Sequence, residues 1–164
     1  MQINFFLNKI NNDRKDRAPF RGHDKEMDMP STFHVVPIGT IHKNEEKTWI
    51  EIEPPYLPAM DGLAGFSHIN VFFWFHENDH PEGRQVLKVH PRKDSANPLT
   101  GVFATHSPLR PNLIGMTLCR ILAVAPLEIV VDQIDAFDGT PVLDIKCYIP
   151  SSRTFENLRL PDWV

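Results

Sequence analysis

The chain of 164 residues is long enough for one well-buried core, and its composition, 41% hydrophobic and 23% charged, is ordinary for a soluble globular protein. The net charge is −4, and no apolar run approaches the roughly 20 residues that a membrane-spanning helix needs. With two cysteines and no signature of a cleaved export signal, we expect a cytoplasmic protein in which Cys119 and Cys147 are reduced core residues.

The first thirty residues are polar, rich in Asp, Lys and Arg, and lack a sustained hydrophobic period. We therefore predict a flexible N-terminal extension over residues 1–30. The alternative is a short helix or strand within MQINFFLNKI.

From Phe33 onward, short β-rich runs alternate with turns rich in proline and glycine. The run Lys47–Glu53 alternates apolar and polar residues as a half-buried antiparallel strand does, and PYLPAMDGL is a candidate short helix. Because no long helical pattern follows each strand, a doubly wound α/β fold is disfavoured. The chain is thus predicted to be mainly β, an antiparallel barrel or sandwich with short helices in the connections. The predicted strands lie in FHVVPIGTIH, KTWIEIE, HINVFFWF, RQVLKVH, TGVFA, IGMTLCRILAVA, LEIVVDQI and VLDIKCYI.

The stretch HENDHPEG, which begins at His76, contains the His-Glu-x-x-His pattern of zinc proteases. That motif binds zinc only when both histidines share one face of a helix. Here it follows the continuous aromatic run VFFWF and contains Asn78, Asp79 and Pro81, which indicates a strand that ends in a turn. We therefore predict no metal site.

Three stretches contain more residues with titratable or ligand-binding side chains than folding alone requires. His68 begins a hydrophobic strand, where a histidine is more often a structural residue than a ligand. Residues 101–116 form a long loop with two cationic candidates, His106 and Arg110, and long loops often bind ligands. If residues 142–149 form a strand, the polar residues Asp144, Lys146 and Tyr148 share one face, next to the turn DGTP.

The middle of the chain is locally basic. Between Arg84 and Arg120 there are six basic residues and a single acid, Asp94. This asymmetry suggests an anionic partner, although a solvated face without a partner explains the charge equally well.

The segments GFSHINVFFWFHE, GVFATHSPLRPNLIG and DAFDGTPVLDIKCYIP, in this order and spacing, closely resemble the TsaA-like (TrmO-like) family. The similarity covers roughly residues 33–153, which implies a family domain over 31–154 and a short C-terminal tail over 155–164. The resemblance implies a small antiparallel β-barrel that binds S-adenosylmethionine as a homodimer. It also implies methylation of tRNA at N6 of the threonylcarbamoyl-modified adenosine 3′ of the anticodon. Two alternatives stay open: methylation of a small molecule, and a non-catalytic dimer that binds S-adenosylmethionine.

By the same resemblance, the cofactor-binding residues are His68, Ile69, Phe103, Ala104, Thr105, His106, Ser107, Met116, Asp138, Gly139, Thr140 and Pro141. Methylation of an amine releases a proton, and we expect Asp138 or Asp144 to accept it. The phosphates of the tRNA anticodon loop are expected to contact Arg92, Lys93, Arg110 and Arg120.

Overall fold

The computed structural model describes residues 32–150 and 159–164, so the predictions for residues 1–30 and for the start of the tail lie outside the described residues. Six strands close into an antiparallel barrel in the order β1-β2-β7-β6-β3-β8, and β4 pairs with β5 in a separate hairpin. The predicted mainly β fold, with a small antiparallel barrel, is therefore confirmed. The strands are β1 Gly39–Lys43, β2 Thr48–Ile52, β3 His68–Trp74, β4 Lys88–Val89, β5 Thr100–Gly101, β6 Ile114–Val124, β7 Glu128–Val131 and β8 Pro141–Cys147.

Short helices lie in the connections. The predicted helix in PYLPAMDGL is a 3-10 helix over Pro54–Met60. The prediction of a strand over RQVLKVH was wrong at its start, because Pro81–Gln85 is an α-helix, α1, with a proline in its first turn and the His80 side chain capping it. Further 3-10 turns cover Leu63–Gly65, His76–Asn78, Pro91–Lys93 and Val102–Ala104.

The core lies inside the barrel and follows from the period-two alternation of its strands. Along β3, Ile69, Val71 and Phe73 are at most 1% exposed, whereas the intervening side chains are half-buried. Cys119 lies in this core and Cys147 is half-buried, and neither forms a disulfide. Burial raises the pKa of the Cys119 thiol to about 12, with a smaller contribution from the charge of Asp132. No helix among the described residues is long and apolar enough to cross a bilayer.

Because neighbouring strands are antiparallel, each connection between barrel strands lies at one of the two ends of the barrel. Strands β1, β3 and β7 end at one rim, where β2, β6 and β8 begin. We call this end the upper rim; it carries the connections 44–47, 75–113 and 132–140. The opposite end, the lower rim, carries the connections 53–67 and 125–127.

Candidate functional site

The upper rim contains a groove made of two adjoining cavities of about 260 and 330 Å³. The two cavities share Phe73, Phe75, His106 and Asp135, so they form one continuous depression that we call the rim groove. Their volumes lie near the lower end of the range of about 300–1,000 Å³ that is typical of small-molecule sites. The first cavity is also lined by Phe103, Thr105, Arg110, Ile114, Gly115 and Met116, and the second by Lys43, His76, Glu77, Asn78, Pro108, Ala136, Phe137 and Thr140.

The floor of the rim groove is aromatic. The Phe73 and Phe75 rings meet edge to face, with centroids 5.5 Å apart. Gly115 allows this arrangement, because a Cβ at that position would lie 2.3 Å from the Phe73 ring. Phe73 is only 1% exposed and packs into the core, so the half-buried Phe75 is the ring of this pair that can present an apolar surface to a ligand.

The connection between β5 and β6 forms one wall. The Val102 carbonyl accepts hydrogen bonds from the Thr105 N–H at 3.2 Å and from an Arg110 guanidinium nitrogen at 3.3 Å. The Thr105 hydroxyl in turn accepts from the Ser107 N–H at 3.2 Å. These bonds fix the backbone on both sides of His106 and hold Arg110 at the edge of the groove.

The connection between β7 and β8 forms the opposite wall. Gly139 adopts a φ of +77°, a conformation that favours glycine, and its N–H donates to the Ile41 carbonyl at 2.8 Å. The Asp138 carboxylate accepts from the Lys43 N–H at 2.8 Å. Asp138 therefore fastens the turn to β1, and the buried Thr140 lines the groove beside it.

Asp135 lies where the two cavities meet, and its side chain is exposed to the groove. Its N–H donates to the Thr117 hydroxyl at 3.3 Å, which fixes its backbone against β6. The Lys43 ammonium group, which also lines the groove, donates to the Ile134 carbonyl at 2.6 Å. The site thus contains a carboxylate and a cation that are not among the predicted site residues.

The segment His76–Asn78 follows β3 and forms the third wall. It is held by the next residue, Asp79, which accepts a hydrogen bond from the Trp74 indole at 3.0 Å and pairs with the Arg84 guanidinium at 2.7 Å. The indole bond and the Arg84 contact lower the pKa of the Asp79 carboxyl. His76 lines the groove whereas His80 caps α1, and the described part of the chain has no cluster of His, Cys, Asp or Glu side chains that could hold a metal ion.

Residues 28–153 match the family described as tRNA-methyltransferase O N-terminal domain. The chain belongs to this family. A probable S-adenosyl-L-methionine-binding protein of Methanocaldococcus jannaschii is 45% identical over 116 residues, which are 71% of this chain and 92% of that protein. The tRNA (adenine(37)-N6)-methyltransferase of Mus musculus is 43% identical over 61% of this chain but only 22% of that enzyme. The crystal structure of TrmO from P. aeruginosa superposes with a TM-score of 0.62 at 28% identity and covers 84% of this chain, which spans 64% of that structure.

Five of the cofactor-binding residues predicted from the family resemblance line the rim groove: Phe103, Thr105, His106, Met116 and Thr140. Arg110, which was predicted to contact tRNA phosphates, lines it as well. Ala104, Ser107, Asp138, Gly139 and Pro141 lie in the same two connections or at their ends but do not line it. Met116, at the end of the stretch 101–116, lies in the predicted strand IGMTLCRILAVA as the third residue of β6.

Three other predicted residues lie elsewhere. His68 and Ile69 are at the start of β3, about 17 and about 13 Å along the strand from Phe73, and the Ile69 side chain is fully buried in the core. Asp144 lines a cavity at the lower rim and pairs with Lys146 at 3.0 Å. In a single barrel, His68, Ile69 and Asp144 do not lie at the rim groove, and their roles stay predictions.

The structure adds Lys43, His76, Glu77 and Asp135 to the site. Each lies at or after the end of β1, β3 or β7, the three strands that terminate at the upper rim. Knowing that β1, β3 and β7 run in the same direction would have placed these four residues at one rim. The direction of each strand depends on the barrel topology, which the residue pattern does not specify.

Proposed function

We propose that the protein transfers a methyl group from S-adenosylmethionine to N6 of the threonylcarbamoyl-modified adenosine 3′ of the anticodon in tRNA. The observation that carries the proposal is the rim groove, which gathers residues from two family motifs, GVFATHSPLRPNLIG and DAFDGTPVLDIKCYIP, onto one aromatic floor. The relatives that carry the name methyltransferase supply the reaction class.

The residues of the rim groove fit the methyl donor chemically. An aromatic floor and the 85% exposed ring of Phe103 suit an adenine, which stacks on apolar rings. Arg110 and Lys43 each donate one hydrogen bond to a backbone carbonyl and keep further N–H groups for the carboxylate of the donor. S-adenosylmethionine, when bound, supplies an electrophilic methyl group; the contribution of the protein is to orient the attacking nitrogen and exclude water, which in favourable cases lowers a barrier by about 7–11 kcal/mol.

Asp135 is our candidate for the group that accepts the proton released by the N6 nitrogen. It is the carboxylate shared by both cavities, and the described residues place no basic side chain in a salt bridge with it. By contrast, Asp138 is committed to the Lys43 N–H and Asp144 to the Lys146 ammonium group. Asp138 and Asp144 therefore stay as the second and third candidates.

The tRNA would contact cations in the groove and beyond it. Arg110 lies in the groove, and Arg92 and Lys93 lie in the loop between β4 and β5. Arg120 lies on β6 opposite His68, so it would contact the tRNA only at the end of β3 that is remote from the groove. Such contacts position the RNA through its phosphates without reading its sequence. A tRNA substrate would place the protein in the cytoplasm.

A second copy of the chain would cover the outer face of β6. Ile114, Met116 and Leu118 occupy alternate positions of this strand, and the exposed Arg120 and then Leu122 continue the series. Each of the four apolar side chains is about half exposed, between 42% and 54%. Ile114 and Met116 also line the rim groove, so a homodimer formed through this face would border the site. Leu118→Lys should yield monomers in sedimentation experiments, whereas the control Leu87→Lys, at an exposed leucine on another element, should not.

Two measurements test the proposed reaction. Calorimetric titration with S-adenosylmethionine should give one site per chain. Labelled methyl groups should then appear in tRNA that carries the threonylcarbamoyl group and not in tRNA that lacks it. Binding of the donor without transfer to either tRNA would contradict the tRNA proposal and favour a small-molecule acceptor or a non-catalytic binding role.

A further inference from the structure

The loop between β4 and β5 has an unusual backbone at its most basic point. Arg92 and Lys93 both have a φ of +58°, and they are the two non-glycine residues with positive φ in the described part of the chain. Residues other than glycine, asparagine and aspartate rarely adopt this left-handed conformation, because their Cβ then crowds the backbone. Two adjacent long side chains in this region therefore represent strain that the rest of the loop must hold.

Several hydrogen bonds hold that conformation. The His90 ring nitrogen Nδ1 lies 2.7 Å from the Asn97 carbonyl, and the Asn97 side-chain amide donates to the Pro91 carbonyl at 3.0 Å. The Pro91 carbonyl also accepts from the Asp94 N–H at 3.2 Å, and the Pro91 ring is buried. The loop is thus anchored on both sides of the strained pair.

The strained side chains are available to a partner. Lys88, Arg92 and Lys93 are exposed, and none of the three forms a salt bridge within residues 32–150 and 159–164. The neighbouring Asp94 carboxylate accepts a hydrogen bond from the Ala96 N–H at 2.9 Å and forms no salt bridge with any of the three. The hairpin therefore displays three exposed cations beside a single acid.

The loop is also connected directly to the rim groove. The Val102 N–H donates to the Leu87 carbonyl at 3.0 Å, which closes the base of the hairpin, and the next residue is Phe103 in the groove wall. Arg92 follows Lys88 by four residues, so chain geometry keeps it within about 14 Å of that base. The base of the hairpin is therefore continuous with the groove wall.

We propose that the hairpin of residues 88–101 is a preformed arm that grips the phosphate backbone of the substrate RNA, with Arg92 and Lys93 as its contact residues. The inference rests on the proposed function, in which Arg92 and Lys93 contact the tRNA, and adds that the loop backbone is preformed to fix the direction of both cations. Glycine or asparagine would satisfy the backbone at these two positions with less strain. The presence of arginine and lysine there indicates that their charge, displayed in a fixed direction, is what the loop is built to provide.

The test separates charge from backbone preference. Arg92→Asn removes the charge but keeps a residue that tolerates the left-handed conformation, so Tm should stay the same or rise. The control is Lys146→Asn, which removes the same charge from an exposed residue of β8 and, unlike Arg92→Asn, also breaks an ion pair with Asp144. Binding of a fluorescein-labelled anticodon stem–loop RNA is measured by anisotropy at several salt concentrations.

We expect Arg92→Asn to weaken binding several-fold at low salt and to reduce the slope of log K against log salt by about 1, and the double variant with Lys93→Asn by roughly twice as much. Arg92→Lys keeps the charge and should restore most of the slope. The Kd for S-adenosylmethionine should not change in any of these variants. In transfer assays the KM for tRNA should rise while kcat is kept.

The outcomes distinguish this inference from the proposed function. If wild-type protein methylates tRNA and Arg92→Asn matches Lys146→Asn in affinity and salt slope, the arm is refuted and the proposed function stands. If wild-type protein binds neither the stem–loop nor tRNA, both are refuted. If the RNA affinity of Arg92→Asn falls only together with Tm, the role of the loop is structural and the inference is again refuted.

Discussion

At the lower rim, the 3-10 helix Pro54–Met60 covers a cavity of about 100 Å³ that is lined mainly by apolar side chains such as Ile52, Tyr56 and Ile129. At the upper rim, the long connection 75–113 and the turn 132–140 surround a larger groove with aromatic, cationic, histidine and carboxylate side chains. Both rims are built on the same six strands. The difference shows that the barrel supplies rigidity to both ends, whereas the length and composition of the connections decide which end can bind a ligand.

Strand β3 connects the two environments. Ile69 and Val71 serve only the core, but Phe73 belongs to the core and also to the floor of the rim groove. Substitutions near Phe73 should therefore affect stability and ligand binding together, and substitutions elsewhere should affect one of them.

The largest expected effect is on chemistry at the upper rim. Asp135→Asn should lower the rate of methyl transfer by about 10²–10⁴-fold, because the released proton loses its acceptor. The Kd for S-adenosylmethionine and Tm should change little. In the control, Asp138→Asn, a hydrogen bond to the Lys43 N–H is weakened, so we expect a loss of about 1 kcal/mol in stability with little change in rate. Single-turnover kinetics measures the rate of transfer and urea unfolding measures the stability of each variant. A large loss of rate in Asp138→Asn, with little change in Asp135→Asn, would identify Asp138 as the proton acceptor.

The next largest effect is on the barrel itself. Ile50 is fully buried and pairs with Ile41 and Ile129 on the neighbouring strands. Ile50→Ala should lower the free energy of unfolding by about 2–5 kcal/mol, because it removes buried methyl groups and leaves a cavity. Urea titration measures this loss. Calorimetry on the folded protein should give an unchanged Kd for the methyl donor, and a weakened Kd would mean that the rim groove is not independent of the barrel centre.

Gly115→Ala is expected to affect both regions at once. The added Cβ would lie 2.3 Å from the Phe73 ring, which has to move, and overpacking of this kind costs about 1–3 kcal/mol. Since the ring is part of the groove floor, the affinity for the methyl donor should also fall. Gly65→Ala is the matched control, because a Cβ there meets no atom within 4 Å. Equal behaviour of the two variants in unfolding and calorimetry would contradict the packing argument.

The smallest effect concerns the segment His76–Asn78. Because hydrogen bonds from Trp74 and Arg84 lower the pKa of Asp79 from its ordinary 3.8, the ionised carboxylate stabilises the folded segment above that pH. This stabilisation should disappear as the pH falls through the lowered value. Asp79→Asn should show the loosened segment already at neutral pH, as faster amide hydrogen exchange over residues 76–80. Protection equal to that of wild-type protein would show that Asp79 does not hold this wall.

Much of the fold followed from local patterns. Alternation in residues such as Ile50, Glu51 and Ile52 predicted strands, and proline with glycine predicted the breaks between them. The predicted strand RQVLKVH was partly wrong, because its first two residues, Arg84 and Gln85, form the end of a helix that begins with Pro81 and is capped by His80. A one-turn helix is too short for a hydrophobic period to reveal it.

The site was predicted in part, for a different reason. The family resemblance identified His106, Phe103 and Thr140, which line the rim groove. It also identified His68, which lies at the start of β3, the end of that strand remote from the groove. The segment after that strand, His76 and Glu77, was examined only as a zinc motif, although it forms a wall of the groove.

The sequence by itself determined the strands, the breaks between them, the family and the basic character of the middle of the chain, because each is expressed in neighbouring residues. Only the tertiary structure decided which residues meet. Closure of the barrel brings the ends of β1, β3 and β7 to one rim, and so places Lys43, Glu77 and Asp135 around one groove although they are far apart along the chain. That arrangement is set by which strands pair and in which direction, and pairing between distant strands leaves no periodic trace in the residues of either one.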